Sequence, residues 1–173
     1  LKGNGNKSSG TRISPKATIG VTPVKGVQFY ATYAEGYRSP AVTEAFNSGT
    51  HPVPPTFTIS PNPNLKPETA RNYEAGVNLK FDDVLSDGDA FRAKASIFRN
   101  DVSDYIDAYL TGFNPATCFG PPFNGCGTFQ YQNISKARLE GVELEAFYDA
   151  GRYFAGVSYT RVRGDDLEAD VPL

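Results

Sequence analysis

The chain has 173 residues, enough for one ordinary domain, and a formal net charge of -2. It carries no long basic or acidic run, which argues against a nucleic-acid footprint. No stretch approaches the roughly 18 consecutive apolar residues of a spanning helix, so a helical membrane protein is excluded. The opening run Leu1-Lys2-Gly3-Asn4-Gly5-Asn6 is polar and does not read as a signal peptide, so any export signal is expected outside this chain.

In chain order, the dominant signal is period two. Ile13, Pro15, Ala17, Ile19 and Val21 alternate with Ser14, Lys16, Thr18, Gly20 and Thr22. Val27, Phe29, Ala31 and Tyr33 alternate with Gln28, Tyr30, Thr32 and Ala34. Tyr73, Ala75, Val77, Leu79 and Phe81 oppose Glu74, Gly76, Asn78 and Lys80. Further on, Phe91 to Ile97, Val142 to Tyr148 and Tyr153 to Tyr159 repeat the pattern. Such alternation predicts strands over 12–22, 27–36, 71–81, 91–110, 129–148 and 153–163. Most are close to the 9–11 residues a tilted strand needs to cross a bilayer, and the fourth and fifth are long enough to project beyond it.

A half-buried soluble sheet would alternate in the same way. The connections separate the two cases. Pro23-Val24-Lys25-Gly26, Asp82–Ala90 and Asp149-Ala150-Gly151-Arg152 are short, whereas Tyr37 to Ala70 and Thr111 to Thr128 are long. Short turns alternating with long loops are the pattern of outer-membrane barrels, with the turns periplasmic and the loops extracellular. Tyr73, Phe81, Tyr148, Tyr153 and Tyr159 sit near the ends of apolar faces, where interfacial girdles belong. The fold class expected is all-β: about six antiparallel up-and-down strands from a large transmembrane β-barrel. A soluble β-sandwich binding module, its core filled by the same aromatics, is the alternative.

The two cysteines, Cys118 and Cys126, lie in one Gly/Pro-rich segment. They are expected to form a disulfide, which implies an oxidising compartment. Two unpaired loop thiols remain the alternative, and nothing nearby supplies further metal ligands.

The run Tyr33-Ala34-Glu35-Gly36-Tyr37-Arg38-Ser39-Pro40, followed by Thr43-Glu44-Ala45-Phe46, resembles the strand end and F-R-A-P-type box of TonB-dependent receptors. Tyr replaces Phe and Ser replaces Ala. Asn62-Pro63-Asn64-Leu65-Lys66-Pro67-Glu68 matches that family's N-P-N-L box and its K-P-E extension. Asn72-Tyr73-Glu74-Ala75-Gly76 and the run from Asn133 through Glu145 are similar to its strands. The resemblance implies a barrel of about 22 strands with a plug, in the bacterial outer membrane, driven by the TonB complex. On this reading residues 1–173 are part of the barrel, towards its C-terminal half, and the plug is not expected within them.

His51 is the sole histidine and lies between the two boxes. In family members that take up haem or a haem-carrying protein, a histidine in this interval is an axial haem ligand. The resemblance therefore implies that role for His51, with the second axial ligand on the plug. A neutral imidazole is a good donor to haem iron. An exposed loop histidine that binds nothing is the alternative.

Tyr37, Arg38, Asn62 and Asn64, in the two boxes, are the further candidates for the ligand site. Tyr37, Phe46 and Phe57 are candidate porphyrin-stacking rings, and Pro52, Pro54 and Pro55 are expected to stiffen the loop after His51. Lys16, Glu74, Lys80, Arg92, Lys94, Glu143 and Glu145 are expected to face the lumen. Asn133-Ile134-Ser135 fits a glycosylation sequon, but a bacterial strand start speaks against that use.

The function expected is haem or haem-protein uptake, with haem as transported ligand, the bilayer around the barrel and no catalytic cofactor. A ferric-siderophore receptor of the same architecture is the alternative, because an already chelated iron needs no axial imidazole. An enzyme is not expected: there is no Gly-x-Ser-x-Gly elbow, and His51 on a long loop is a poor place for a fixed base.

Overall fold

The computed structural model describes residues 11–51, 57–119 and 125–173. Its elements are β1 (Lys16–Val24), β2 (Val27–Arg38), α1 (Val42–Phe46), β3 (Gly49–Thr50), β4 (Thr58–Ile59), β5 (Glu68–Asp82), β6 (Ala90–Thr111), α2 (Pro115–Phe119), β7 (Thr128–Asp149), β8 (Phe154–Asp166) and β9 (Val171–Pro172). The six predicted strands are β1, β2, β5, β6, β7 and β8. Each pairs antiparallel with the next, giving one open sheet.

The register explains why the alternation reads so clearly. Val21, Phe29, Val77, Ala95, Leu144 and Tyr159 form one row across the six strands. Directly paired residues share a face, so this row and the rows two residues away on either side build one continuous apolar surface. Val27, Phe29, Tyr73 and Val77 all lie on it, as predicted. The surface is open: Ile19 is 69%, Phe29 53% and Val157 70% exposed. No second sheet covers it among the described residues, which removes the β-sandwich. A water-facing surface of this kind is untenable, whereas a bilayer-facing one is required.

The opposite face is polar. There Tyr30 donates to the Glu74 carboxylate at 2.5 Å, and Lys94 lies 3.3 Å from the same group. Both sit on the side expected to line the lumen. Gly141 lies on this face, where the Phe98 ring covers it. A Cβ on Gly141 would stand 2.8 Å from Phe98 Cζ and closer still to the Arg161 carbonyl oxygen. Gly141→Val is expected to cost about 1–3 kcal/mol through overpacking against backbone. The check is the fraction of full-length receptor that keeps folded, heat-modifiable mobility on a gel, which should fall.

The short connections are tightly made. β1 and β2 meet at Lys25-Gly26, where Gly26 has φ 86° and its carbonyl accepts from Lys80 N at 2.8 Å. In the turn between β5 and β6, Asp89 is 2% exposed. Its carboxylate accepts from the backbone N–H groups of Val84, Leu85 and Ser86 at 2.6–2.8 Å and from the Tyr148 hydroxyl at 2.7 Å. Burial opposes ionisation, but these donors outweigh it and hold the carboxyl well below the usual carboxylate range. A depressed value stabilises the turn above the unfolded pKa and is lost only in strong acid.

Several boundaries differ from those predicted, and the last strand runs on to Asp166 and not to 163, in register with Ala137. The first strand starts at Lys16 and not at 12, because Pro15 accepts a bond from Glu35 N but has no N–H to return. The third starts at Glu68 and not at 71, because pairing with β2 runs on to Arg38↔Glu68. The long loops are not structureless either: α1, β3 and β4 lie in one and α2 in the other.

Candidate functional site

At the end of β2 the alternation sends neighbours apart. Tyr37 falls on the bilayer-side face, in register with Thr69, whereas Arg38 falls on the lumen side opposite Glu68. The Arg38 guanidinium grips Glu68 with Nε and Nη2, both at 2.6 Å, and Glu44 of α1 with Nη1 at 2.9 and 3.0 Å. Glu44 also accepts from Ala41 N at 2.7 Å, and Glu68 from Ile106 N at 2.8 Å. Glu68 is 9% exposed. Burial would raise its pKa, but Arg38 and the Ile106 N–H prevail and hold it below the ordinary value. The first box thus ties a strand end, a short helix and the start of β5 into one ionic knot.

The second box packs beside it. Leu65, Ala45 and Ile106 form a small buried core against Tyr131. Asn62 Nδ2 donates to Tyr131 O at 2.9 Å, and Asn62 Oδ1 accepts from Asn64 N at 3.2 Å. Asn133 closes the cluster: its Oδ1 accepts from Lys66 N at 2.8 Å, and its Nδ2 donates to the Lys66 and Asp104 carbonyls at 3.0 and 2.7 Å. That amide is bound on every side, so the glycosylation reading falls. Arg38 thus ties α1 to the start of β5, and Asn62 ties the loop to β7, with groups that were candidates for binding, while Asn64 gives its backbone N–H to Asn62.

This anchoring places His51. β3 pairs with β4, and β4 lies parallel to the start of β7, with Ile59 opposite Phe129. His51 N donates to Phe57 O at 2.9 Å. Its imidazole stacks on the Phe57 ring, centroids 4.8 Å apart and planes 13° apart. Phe57 meets Phe129 at 5.7 Å, and Phe129 meets Tyr131 edge-on at 5.9 Å. A ladder of rings therefore runs from His51 down the lumen side of β7. Phe57 was a candidate for stacking on a porphyrin, and here its ring lies on the imidazole. Phe129 and Tyr131 were not, although their alternation with Gln130 was a visible signal. Tyr37 and Phe46 are exposed, at 38% and 48%. Pro52, Pro54 and Pro55 lie outside the described residues.

The other long loop carries the disulfide. Cys118 and Cys126 are bonded, with sulfurs 2.02 Å apart. The unreduced protein should show no alkylatable thiol by mass spectrometry, and two after reduction.

The barrel family described as "TonB dependent receptor-like, beta-barrel" matches residues 2–172. A Haemophilus influenzae heme/hemopexin utilization protein C is 36% identical over 181 residues, covering 96% of this chain and 25% of that protein. A hemin receptor of Yersinia enterocolitica is 32% identical, covering 87% of this chain and 23% of its own. Among solved structures, the Serratia marcescens hemophore receptor HasR, in complex with its hemophore HasA and heme, superposes with a TM-score of 0.72 at 34% identity, over 86% of this chain and 22% of that one. The chain spans about a quarter of the length of these relatives. With its alternating strands, lipid-facing apolar surface and boxes in order, the chain belongs to the β-barrel domain of the TonB-dependent receptors of the bacterial outer membrane.

Proposed function

We propose that this chain is the section of a TonB-driven receptor that takes up haem or a haem-carrying protein, with His51 as one axial ligand of the haem iron. The observation that carries the reading is the placement of His51. The sole histidine stands on a loop anchored at its base and stacked on Phe57, beside further rings on the lumen side. Stacking fixes the plane of an imidazole, and flat aromatic surfaces favour a porphyrin. Relatives named for heme, hemopexin and hemin add support. Haem here is cargo. The chain's own residues hold it and orient it, while the second axial ligand and the TonB contact belong to parts beyond this chain.

The test is a haem titration of the purified full-length receptor in detergent, followed through the Soret band. Saturable binding with a ligated-haem spectrum is expected. No haem binding, together with tight binding of a ferric siderophore, would overturn the proposal.

A further inference from the structure

The segment that carries His51 is tied at its base by Arg38 and, further along, to the start of β7. Thr58 N donates to Gly127 O at 3.0 Å, and Ser60 N donates to Phe129 O at 2.9 Å. These bonds fasten β4, with Thr58 in register with Thr128. β4 fastens β3 in turn through Thr50↔Thr58, and His51 follows β3 directly. Phe57, whose ring lies on the imidazole, is the residue before β4. Two-residue strands have little cohesion of their own. The place of the imidazole therefore depends on where the start of β7 holds these two carbonyls.

One of them, Gly127 O, lies beyond the ladder, because the β6–β7 pairing ends at Thr111↔Thr128. Gly127 has φ 142°, and a Cβ there would stand 2.7 Å from Thr111 O, so the chain leaves the ladder at a close crossing that suits glycine. A residue past the last pair frays unless something further on holds it. The next residue is Cys126, 3% exposed and bonded to Cys118 at the end of α2. Packing does not hold α2 there, since none of its five residues is buried. Among the described residues, the hydrogen bonds that join α2 and its entry to residues 125 and 126 are Asn114 N to Cys126 O at 3.3 Å and Thr117 Oγ1 to Gly125 O at 2.9 Å. Water competes for both, but not for the covalent bond. A cross-link between residues eight apart removes most of the freedom of the open loop.

We infer that the Cys118–Cys126 disulfide is a positioning element of the haem site. It holds Gly127 past the end of the ladder, Gly127 holds β4 through Thr58, and β4 sets the Phe57 ring that fixes the plane of His51. The bond acts through the strand and not on the iron. A cross-link serving the barrel would join strands within the ladder, whereas this one joins the chain beyond it. The inference rests on the reading of His51 as a haem ligand.

The experiment compares full-length native receptor in detergent with the combined variant Cys118→Ser, Cys126→Ser, folded mobility being checked for both. Without haem, hydrogen exchange at the Thr58 and Ser60 amides should accelerate at least tenfold in the variant, while the ladder around Ile97 and Val142 stays protected. Reducing the assembled native receptor with dithiothreitol, alkylating both thiols and removing the reagents repeats that measurement on a chain that has already folded. Haem affinity of the variant should fall roughly threefold to tenfold with the Soret position retained, because the imidazole loses its fixed plane and not its bonding capacity. In a Phe57→Ala background the same double substitution should cost less than about twofold, since both changes break one link. Unchanged exchange at Thr58 and Ser60 overturns the inference whatever haem does. So does fast exchange with native haem affinity, or a loss fully additive with that of Phe57→Ala. A native receptor that binds no haem overturns the function proposed above and the haem-site role with it; the exchange result, read without haem, tells that failure from a failure of the tether.

Discussion

Replacing His51 with alanine in the complete receptor is expected to weaken haem binding roughly 10- to 100-fold, equivalent to about 1.4–2.8 kcal/mol, and to shift the Soret band. One of two axial bonds is lost, so the iron changes coordination while the porphyrin keeps its apolar contacts. Assembly should be untouched. His51 is exposed, and its loop is held at its base by Arg38, Glu44 and Glu68. The measurement is a titration of native and His51→Ala receptor, with folded mobility checked separately. Identical spectra and affinities would sink the ligand role and shift the balance to a siderophore. A loss confined to a haem-carrying protein, with free-haem spectra intact, would assign His51 to docking that partner.

Phe57→Ala separates stacking from ligation. The imidazole lies on that ring at 4.8 Å, so removing it frees the orientation of His51 but not its bonding capacity. The expected result is a smaller loss, on the order of threefold to tenfold, with the Soret position retained. A spectrum matching that of His51→Ala would mean that Phe57 is needed for ligation itself.

The strands were legible because each is read by two solvents. Lipid on one side and lumen on the other impose period two on every segment, and a register that shifts only beside the β1–β2 turn keeps the pattern in phase across the six strands. Pairing order followed from the short turns for β1–β2, β5–β6 and β7–β8, and from the shared alternation across the two long loops. The loop architecture was less legible. α1 is five residues long, too short for a helical period to show. The two-residue strand β4 is held by β7, about seventy positions away, and β3 is held by β4. The cysteine pair was readable because its members are close in sequence and no other ligand competes.

The candidate site divides along the same line. His51 stood out by being unique and by lying between two boxes. The boxes invited a binding role, yet Arg38 spends its guanidinium on Glu44 and Glu68, and Asn62 its amide on Tyr131. These partners lie as far as 69 residues apart, which no local pattern encodes. The K-P-E extension did contain Glu68. What it could not disclose is that the strand pairing between β2 and β5 continues to that residue and sets its carboxylate against Arg38.

Glu68→Gln should loosen the whole segment between the boxes without unfolding the barrel. Glu68 accepts both Arg38 bonds and the Ile106 N–H, in a position 9% exposed. The glutamine keeps one acceptor oxygen and presents an N–H₂ donor to a guanidinium that can only donate. The expected cost is about 1–3 kcal/mol, at the lower end because the Arg38 side chain is 44% exposed and water takes up part of its demand. The loss falls on α1, β3 and β4, so hydrogen exchange at Ala45, Thr50 and Leu65 should accelerate while the β6–β7 ladder stays protected. Haem affinity should drop on the order of tenfold, because the base of the His51 loop no longer holds one position. The pH dependence has a defined sign. The native carboxyl lies below its ordinary value, so the clamp is present above the unfolded pKa and fails as pH falls through the folded one. Native receptor should therefore keep slow loop exchange from neutral pH down to the ordinary carboxylate range and lose it below. Glu68→Gln should already be fast at neutral pH and should show no such acid transition. Unchanged exchange at neutral pH in the variant would mean that the Ala45–Leu65–Ile106 core, and not the ionic knot, holds the loop.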